Sequence, residues 1–116
     1  MSVYKIFHNP RCSKSRQALQ LLKDNNCKIE IISYLEIDLE VSLIEDIIKK
    51  LALKPRDILR KDEQEFKDNN LKKDNLSEED LINYMIKYPK LIERPIVVKG
   101  DNAVIGRPPE NVLELI

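Results

Sequence analysis

The sequence predicts an α/β domain built as βαβ, a helical insertion and ββα, with a four-stranded mixed sheet. Three observations predict it. Strand, amphipathic-helix and strand patterns follow one another from Val3 to Tyr34, which makes a βαβ unit with a parallel pair. Near the other end, two short apolar runs flank Gly100-Asp101-Asn102, as in an antiparallel hairpin. Between them, about 38–92, apolar residues recur at helical spacing among polar loops. Residues 1–116 are expected to form a single domain, long enough to bury a core without staples.

Val3 to His8 alternates Tyr4, Ile6 and His8 against Val3, Lys5 and Phe7, the period of a strand. Pro10 lacks the donor a sheet needs, so a loop starts there. From Ser13 to about Asp24, Ser15, Ala18, Leu19 and Leu22 share one helical face, and Asn25-Asn26 is the stop. The isoleucine-rich run Lys28 to Tyr34 is the second strand. Ser42 and Glu45 have the spacing of a capping box, and Ile44, Ile47, Ile48 and Leu51 follow at helical intervals. Pro55 suits the start of a short helix carrying Arg56, Ile58, Leu59 and Arg60. Residues 61–76 are highly charged and poor in apolar side chains, so a solvated surface segment with one helical turn is expected.

Ser77-Glu78-Glu79-Asp80 marks another helix start, its acids well placed in the first turn. Leu81, Tyr84, Met85 and Tyr88 supply its expected buried stripe, and Pro89 ends it. Arg94-Pro95 opens the strand Ile96 to Lys99, and Ala103 to Ile105 returns beside it until Arg107-Pro108-Pro109 breaks the run. A short helix bearing Val112, Leu113 and Ile116 closes the chain.

Twenty basic residues balance twenty acidic ones, so no global field draws nucleic acid or an anionic membrane. No apolar run has the length of a bilayer span, and no signal-peptide pattern precedes Val3. Two cysteines are too few for a disulfide framework and fit a reducing cytoplasm, and with one histidine they argue against a zinc site. The expectation is a cytoplasmic monomer with no metal, no bound cofactor, and no nucleic-acid or membrane partner.

The chemistry concentrates in His8-Asn9-Pro10-Arg11-Cys12-Ser13-Lys14-Ser15-Arg16. This stretch holds one cysteine, three cationic side chains, one histidine and no carboxylate. A thiol at the first turn of a helix feels the partial positive charge of unpaired N–H groups. Nearby Arg and Lys reinforce that field, and both favour the nucleophilic thiolate. Ser15 lies one helical turn beyond Cys12 and is expected to donate to the sulfur. His8 ends the first strand and is expected across the loop from Cys12, as a cation or a donor. Arg11 and Lys14 are read as surface charges that add to the field, and Arg16 as capping or orienting the loop. Cys12-Ser13-Lys14-Ser15 contains no resolving thiol, so such a site needs an external reductant; Cys27 is read as a spare or structural thiol.

This order of elements, with a cysteine opening the first helix, resembles the thioredoxin/glutaredoxin fold. The motif His8-Asn9-Pro10-x-Cys12-x-x-Ser15-Arg16 resembles the signature of the glutaredoxin-linked arsenate reductase family. Arg60, Arg94 before Pro95-Ile96, and Arg107 before Pro108 extend the resemblance over nearly the whole chain. It implies that Arg60, Arg94 and Arg107 bind arsenate and that Cys12 attacks the arsenic to form a thiol–arsenate ester. Glutathione, the co-substrate, then adds, and glutaredoxin completes the reduction to arsenite. It further implies that His8 and Ser15 activate the cysteine, and that Pro95 is a cis-proline beside it. Guanidinium forks suit a phosphate-like oxyanion, and they offset the negative charge that develops as a nucleophile adds.

Three other readings compete. A phosphatase-like Cys-x5-Arg reductase would need arginine where this chain has Ala18. An Spx-type transcription regulator resembles the same family without catalysis, but typically carries Cys-x-x-Cys where Ser15 stands here. A glutaredoxin-like thiol–disulfide oxidoreductase, using Cys12 on glutathione mixed disulfides, is permitted by the monothiol site but has no need of so many arginines.

Overall fold

The computed structural model describes residues 3–116. They divide into two compact units, one formed by the chain up to Ile37 together with Arg94–Ile116, the other by Asp38–Glu93.

The first unit holds the sheet. Its strands are β1 (Tyr4–Phe7), β2 (Ile29–Ile32), β3 (Ile96–Lys99) and β4 (Asn102–Ile105), in the order β2-β1-β3-β4. β1 runs parallel to β2, with Tyr4 opposite Ile29, and antiparallel to β3, with Tyr4 opposite Lys99. β3 and β4 form the hairpin, in register from Ile96–Ile105 to Lys99–Asn102. The turn is the two residues Gly100-Asp101, and Gly100 takes the left-handed φ of 59° that such a turn requires. β2 is shorter than the isoleucine run that announces it, ending at Ile32.

Helix α1 (Ser13–Asp24) makes the crossover from β1 to β2 and buries Ser15, Ala18 and Leu22. Their i, i+3, i+7 spacing puts all three on one stripe, while Arg16 and Lys23 stay in solvent and Lys14 is half-buried. The core joins Tyr4, Ile6 and Val97 of the sheet to Ala18 and Leu22, and to Val112 and Leu115 of the last segment. Burial of each large apolar side chain in this cluster contributes about 1.5–3 kcal/mol. The last segment, Pro109–Leu115, is a 3-10 helix. The Tyr4 hydroxyl donates to the Leu115 carbonyl at 3.2 Å and Lys99 Nζ to the same oxygen at 2.9 Å, which ties this segment to β1 and β3.

The second unit is helical. α2 (Val41–Leu51) buries Ile44, Ile47 and Ile48, but its first helical residue is Val41. Ser42 therefore lies inside the first turn, Glu40 takes the N-cap without a side-chain bond, and the expected capping box does not form. A 3-10 turn, Pro55–Ile58, starts at the proline, and the Lys54 amide donates to Asp57 Oδ2 at 2.9 Å.

The charged stretch departs most from expectation. It contains α3 (Gln64–Asp68), and it buries Phe66 and Leu71 to 7% and 0% exposure rather than lying wholly in solvent. Arg56 secures it, its guanidinium donating to the Leu71 and Lys73 carbonyls at 2.8 and 2.9 Å. α4 (Glu78–Lys87) opens on a reciprocal cap: the Asp80 amide donates to Ser77 Oγ at 3.0 Å, and the Ser77 amide to Asp80 Oδ2 at 3.1 Å. Its buried stripe is Leu81, Ile82 and Met85; Tyr84 and Tyr88 are only half-buried. Beyond the 3-10 turn Pro89–Leu91, Leu59 and Ile92 form an antiparallel bridge, and the Glu93 amide donates to the Ile58 carbonyl at 2.8 Å.

Candidate active site

Cys12 is the N-cap of α1, with extended backbone (φ −95°, ψ 121°) and a half-buried free thiol. Burial is the largest single influence on its pKa and raises it. The Ser15 amide, a hydrogen bond from the Arg94 guanidinium, the Lys14 amide and the Arg94 charge together outweigh burial, and the pKa falls below the ordinary thiol value. The Cys12 side chain makes no cap hydrogen bond of the usual kind, and the sulfur is held by these amides and the guanidinium together. Arg107 Nη1 approaches Cys12 Sγ to 3.9 Å and also donates to the Arg94 carbonyl at 3.2 Å. Arg94 and Arg107, thirteen positions apart in sequence, thus meet at one sulfur.

The hairpin explains the meeting. Arg94 sits just before β3 and Arg107 just after β4, so pairing of Ile96 with Ile105 brings their backbones together. The pairing continues past the strands, where the Gly106 amide donates to the Pro95 carbonyl at 2.8 Å. A Cβ at Gly106 would stand 2.8 Å from Pro95 Cγ, so only glycine allows this approach. The Arg94–Pro95 peptide is cis, as the resemblance implies, and Arg107–Pro108 is cis as well.

The loop ahead of Cys12 is held from within. His8 Nδ1 and Ser15 Oγ are 2.7 Å apart, and the Asn9 amide donates to the same hydroxyl oxygen at 3.1 Å. The Ser15 hydroxyl therefore serves His8 and Asn9, and what Ser15 gives the sulfur is its amide. Ser15 belongs to the core-facing stripe with Ala18 and Leu22, so its short side chain points toward the end of β1. His8 is itself buried, at 8% exposure. Burial lowers its pKa below 6.5, and the charges of Arg16 and Lys23 add to the effect. Both effects favour the neutral imidazole over the cation.

Asn9 is a residue that sequence reasoning gave no role. Its carbonyl accepts from the Cys12 amide at 3.0 Å, and its Oδ1 accepts from the Arg11 amide at 3.0 Å. An asparagine ahead of proline is a recognised turn former, and that was the available signal. On the outer side of the loop, Arg16 Nη1 donates to the Pro10 carbonyl at 2.9 Å.

Arg60 belongs to the second unit. There its Nε lies 3.3 Å from Glu63 Oε1 and its Nη1 3.9 Å from Glu93 Oε2. Cys27 is a half-buried free thiol after α1, its Sγ 3.9 Å from the Asn25 carbonyl. Among the described residues, no three His, Cys, Asp or Glu side chains gather as metal ligands, and no helix is long and apolar enough to cross a membrane.

Known proteins resemble this chain along almost its whole length. Residues 7–115 match the ArsC family. "Uncharacterized protein YfgD" of Escherichia coli K12 is 49% identical over 113 residues, covering 97% of this chain and 95% of that one. "Arsenate reductase" of Neisseria meningitidis serogroup A is 41% identical over 113 residues, covering 97% of both chains. The solved structure "Arsenate reductase from Vibrio cholerae" superposes with a TM-score of 0.96 at 41% identity, over 99% of this chain and 98% of that one. The four-stranded mixed sheet with its helices is the thioredoxin-like fold of these structures. On its sequence, its sheet and the cysteine that opens its first helix, the chain belongs to the ArsC family.

Proposed function

We propose that this protein reduces arsenate to arsenite, with Cys12 as the nucleophile and glutathione and glutaredoxin supplying the electrons. The observation that carries the reading is the placement of Arg94 and Arg107 beside a sulfur whose pKa is lowered. Full-length relatives named arsenate reductase, at 41% identity, support the choice of oxyanion. Arsenate is a phosphate-like anion at neutral pH, and guanidinium forks bind it with charge-assisted bonds. The Cys12 thiolate attacks arsenic, an As–S bond forms, and one arsenate oxygen leaves as water after protonation. Arg94 and Arg107 offset the charge that builds on the remaining oxygens.

Glutathione then adds, and glutaredoxin completes the two-electron step. Overall, two thiols become one disulfide, and arsenate loses one oxygen as water. The site has no partner thiol of its own in Cys12-x-x-Ser15, which fits an external reductant and a reducing, cytoplasmic setting. His8 and Ser15 hold the loop under the sulfur, and burial of His8 favours its neutral form. Arg60, which meets Glu63 and Glu93, is proposed as a further oxyanion ligand on the resemblance alone.

The test is arsenate-dependent NADPH oxidation coupled through glutathione reductase, with glutathione and glutaredoxin present, run beside a glutathione mixed disulfide. Arsenate turnover that Cys12→Ser abolishes is expected, as is a higher arsenate requirement in Arg94→Ala, Arg107→Ala and Arg60→Ala than in Arg11→Ala. Turnover of the mixed disulfide alone would refute the reading and favour a thiol–disulfide oxidoreductase.

A further inference from the structure

We infer that Asn111 is a positioning residue that holds Arg107 over Cys12. The inference rests on the reading of Arg107 as an oxyanion ligand, and it starts from how the backbone of that arginine is held. The Arg107 side chain is exposed, follows a glycine, and reaches the Arg94 carbonyl and the Cys12 sulfur. One primary amide bonds its backbone directly. Asn111 Nδ2 donates to the Ile105 carbonyl at 3.1 Å and to the Arg107 carbonyl at 3.2 Å. Both protons of a single –NH2 group are thus spent on the two carbonyls that straddle Gly106.

The anchor is fixed in turn. Asn111 lies in the 3-10 segment Pro109–Leu115, whose Val112 and Leu115 are in the core, and its own amide donates to the Pro108 carbonyl at 3.0 Å. Ile105 is locked to Ile96 by the β3–β4 ladder. The asparagine therefore ties the Arg107 backbone both to the strand that pairs with the Arg94 side of the site and to the packed C-terminal segment. Asparagine is the side chain this job calls for. Aspartate offers no donor, serine offers one, and leucine matches the shape with none. A guanidinium on a loosened backbone still finds an anion, but it has to be ordered on binding, which weakens affinity.

The experiment reads Arg107 placement through charge, in a Cys27→Ser background so that only Cys12 reacts. The ratio of Cys12 alkylation rates by iodoacetate, an anion, and iodoacetamide, its neutral counterpart, is measured for wild type, Arg107→Ala, Asn111→Ala, Asn111→Leu and the double variant Arg107→Ala/Asn111→Ala. Arg107→Ala is expected to lower the ratio about fivefold, and each Asn111 variant about threefold, with the double variant no lower than Arg107→Ala alone. That non-additivity is the signature, because a general loss of packing would add to the arginine's loss. In the coupled assay, Asn111→Leu is expected to raise the arsenate KM about threefold with kcat held within about twofold. A wild-type ratio in both Asn111 variants, or fully additive effects in the cycle, overturns the inference. If the alkylation cycle behaves as expected while wild type fails to turn over arsenate, Asn111 keeps its role and the arsenate reading falls.

Discussion

Gly106→Ala tests the geometry that brings the two arginines together. An added methyl would sit 2.8 Å from Pro95 Cγ and 3.4 Å from both Ala18 Cβ and Val112 Cγ1. A carbon–carbon approach of 2.8 Å is well inside the usual contact distance of about 3.5–4.0 Å, so something has to move. The backbone cannot simply retreat, because the Gly106 amide is bonded to the Pro95 carbonyl at 2.8 Å, and Pro95 is fully buried. Overpacking of this kind costs about 1–3 kcal/mol. Alanine also narrows the unfolded ensemble, which returns about 0.4–1 kcal/mol. The expected net loss is about 1–2 kcal/mol, or about 4–8 °C in melting temperature for a chain of this size. Urea denaturation is the assay, with a lower midpoint at unchanged m-value. Titration of the thiolate absorbance near 240 nm supplies a second readout: a displaced Pro95 carries Arg94 with it, so the Cys12 pKa should rise. Wild-type stability together with a wild-type thiol titration would refute the close approach.

Arg94→Ala should raise the Cys12 pKa more than Arg11→Ala does, because Arg94 lowers it by both a hydrogen bond and its charge; equal shifts in the thiolate titration would contradict the assignment. Since the folded thiol has the lower pKa, its ionisation supports folding fully above the ordinary thiol value, and that support is lost as pH falls through the lowered value. His8 titrates below 6.5, so below that pH the unfolded chain binds the extra proton first and stability falls as pH drops. Urea midpoints between about pH 7 and 5 should show this slope and His8→Gln should flatten it; parallel slopes would count against a buried neutral imidazole. Phe66→Ala should cost about 3–5 kcal/mol in denaturant, the figure for a core aromatic, whereas a solvated segment would lose almost nothing.

Much of this fold is legible in the sequence wherever period and caps agree. The alternation of Tyr4, Ile6 and their neighbours, the Ala18–Leu22 stripe and the Ser77–Asp80 cap each express one local rule, and each element forms where it reads. Departures come where a local rule meets a competitor. Ser42 and Glu45 have the right spacing, but the helix begins a residue ahead of Ser42. Phe66 and Leu71 are two isolated apolar residues in a charged run, and the segment is tied down by Arg56 bonding the distant Leu71 carbonyl, a contact that no local pattern announces. In the site, Cys12 and its flanking cations can be read directly. The inward turn of Ser15 toward His8 cannot, because helical spacing says which residues share a face and not which atom takes the hydrogen bond.

The β3–β4 hairpin can be viewed as a pair of tongs. One guanidinium rides on each arm at the open end, and the tip, Gly100-Asp101, is at the far end of four paired registers. Grip width is therefore set by the ladder and by what braces its open end, not by the bend. A reporter or affinity tag grafted at Gly100-Asp101 would leave the jaws where they are, giving a handle on this protein far removed from its reacting sulfur.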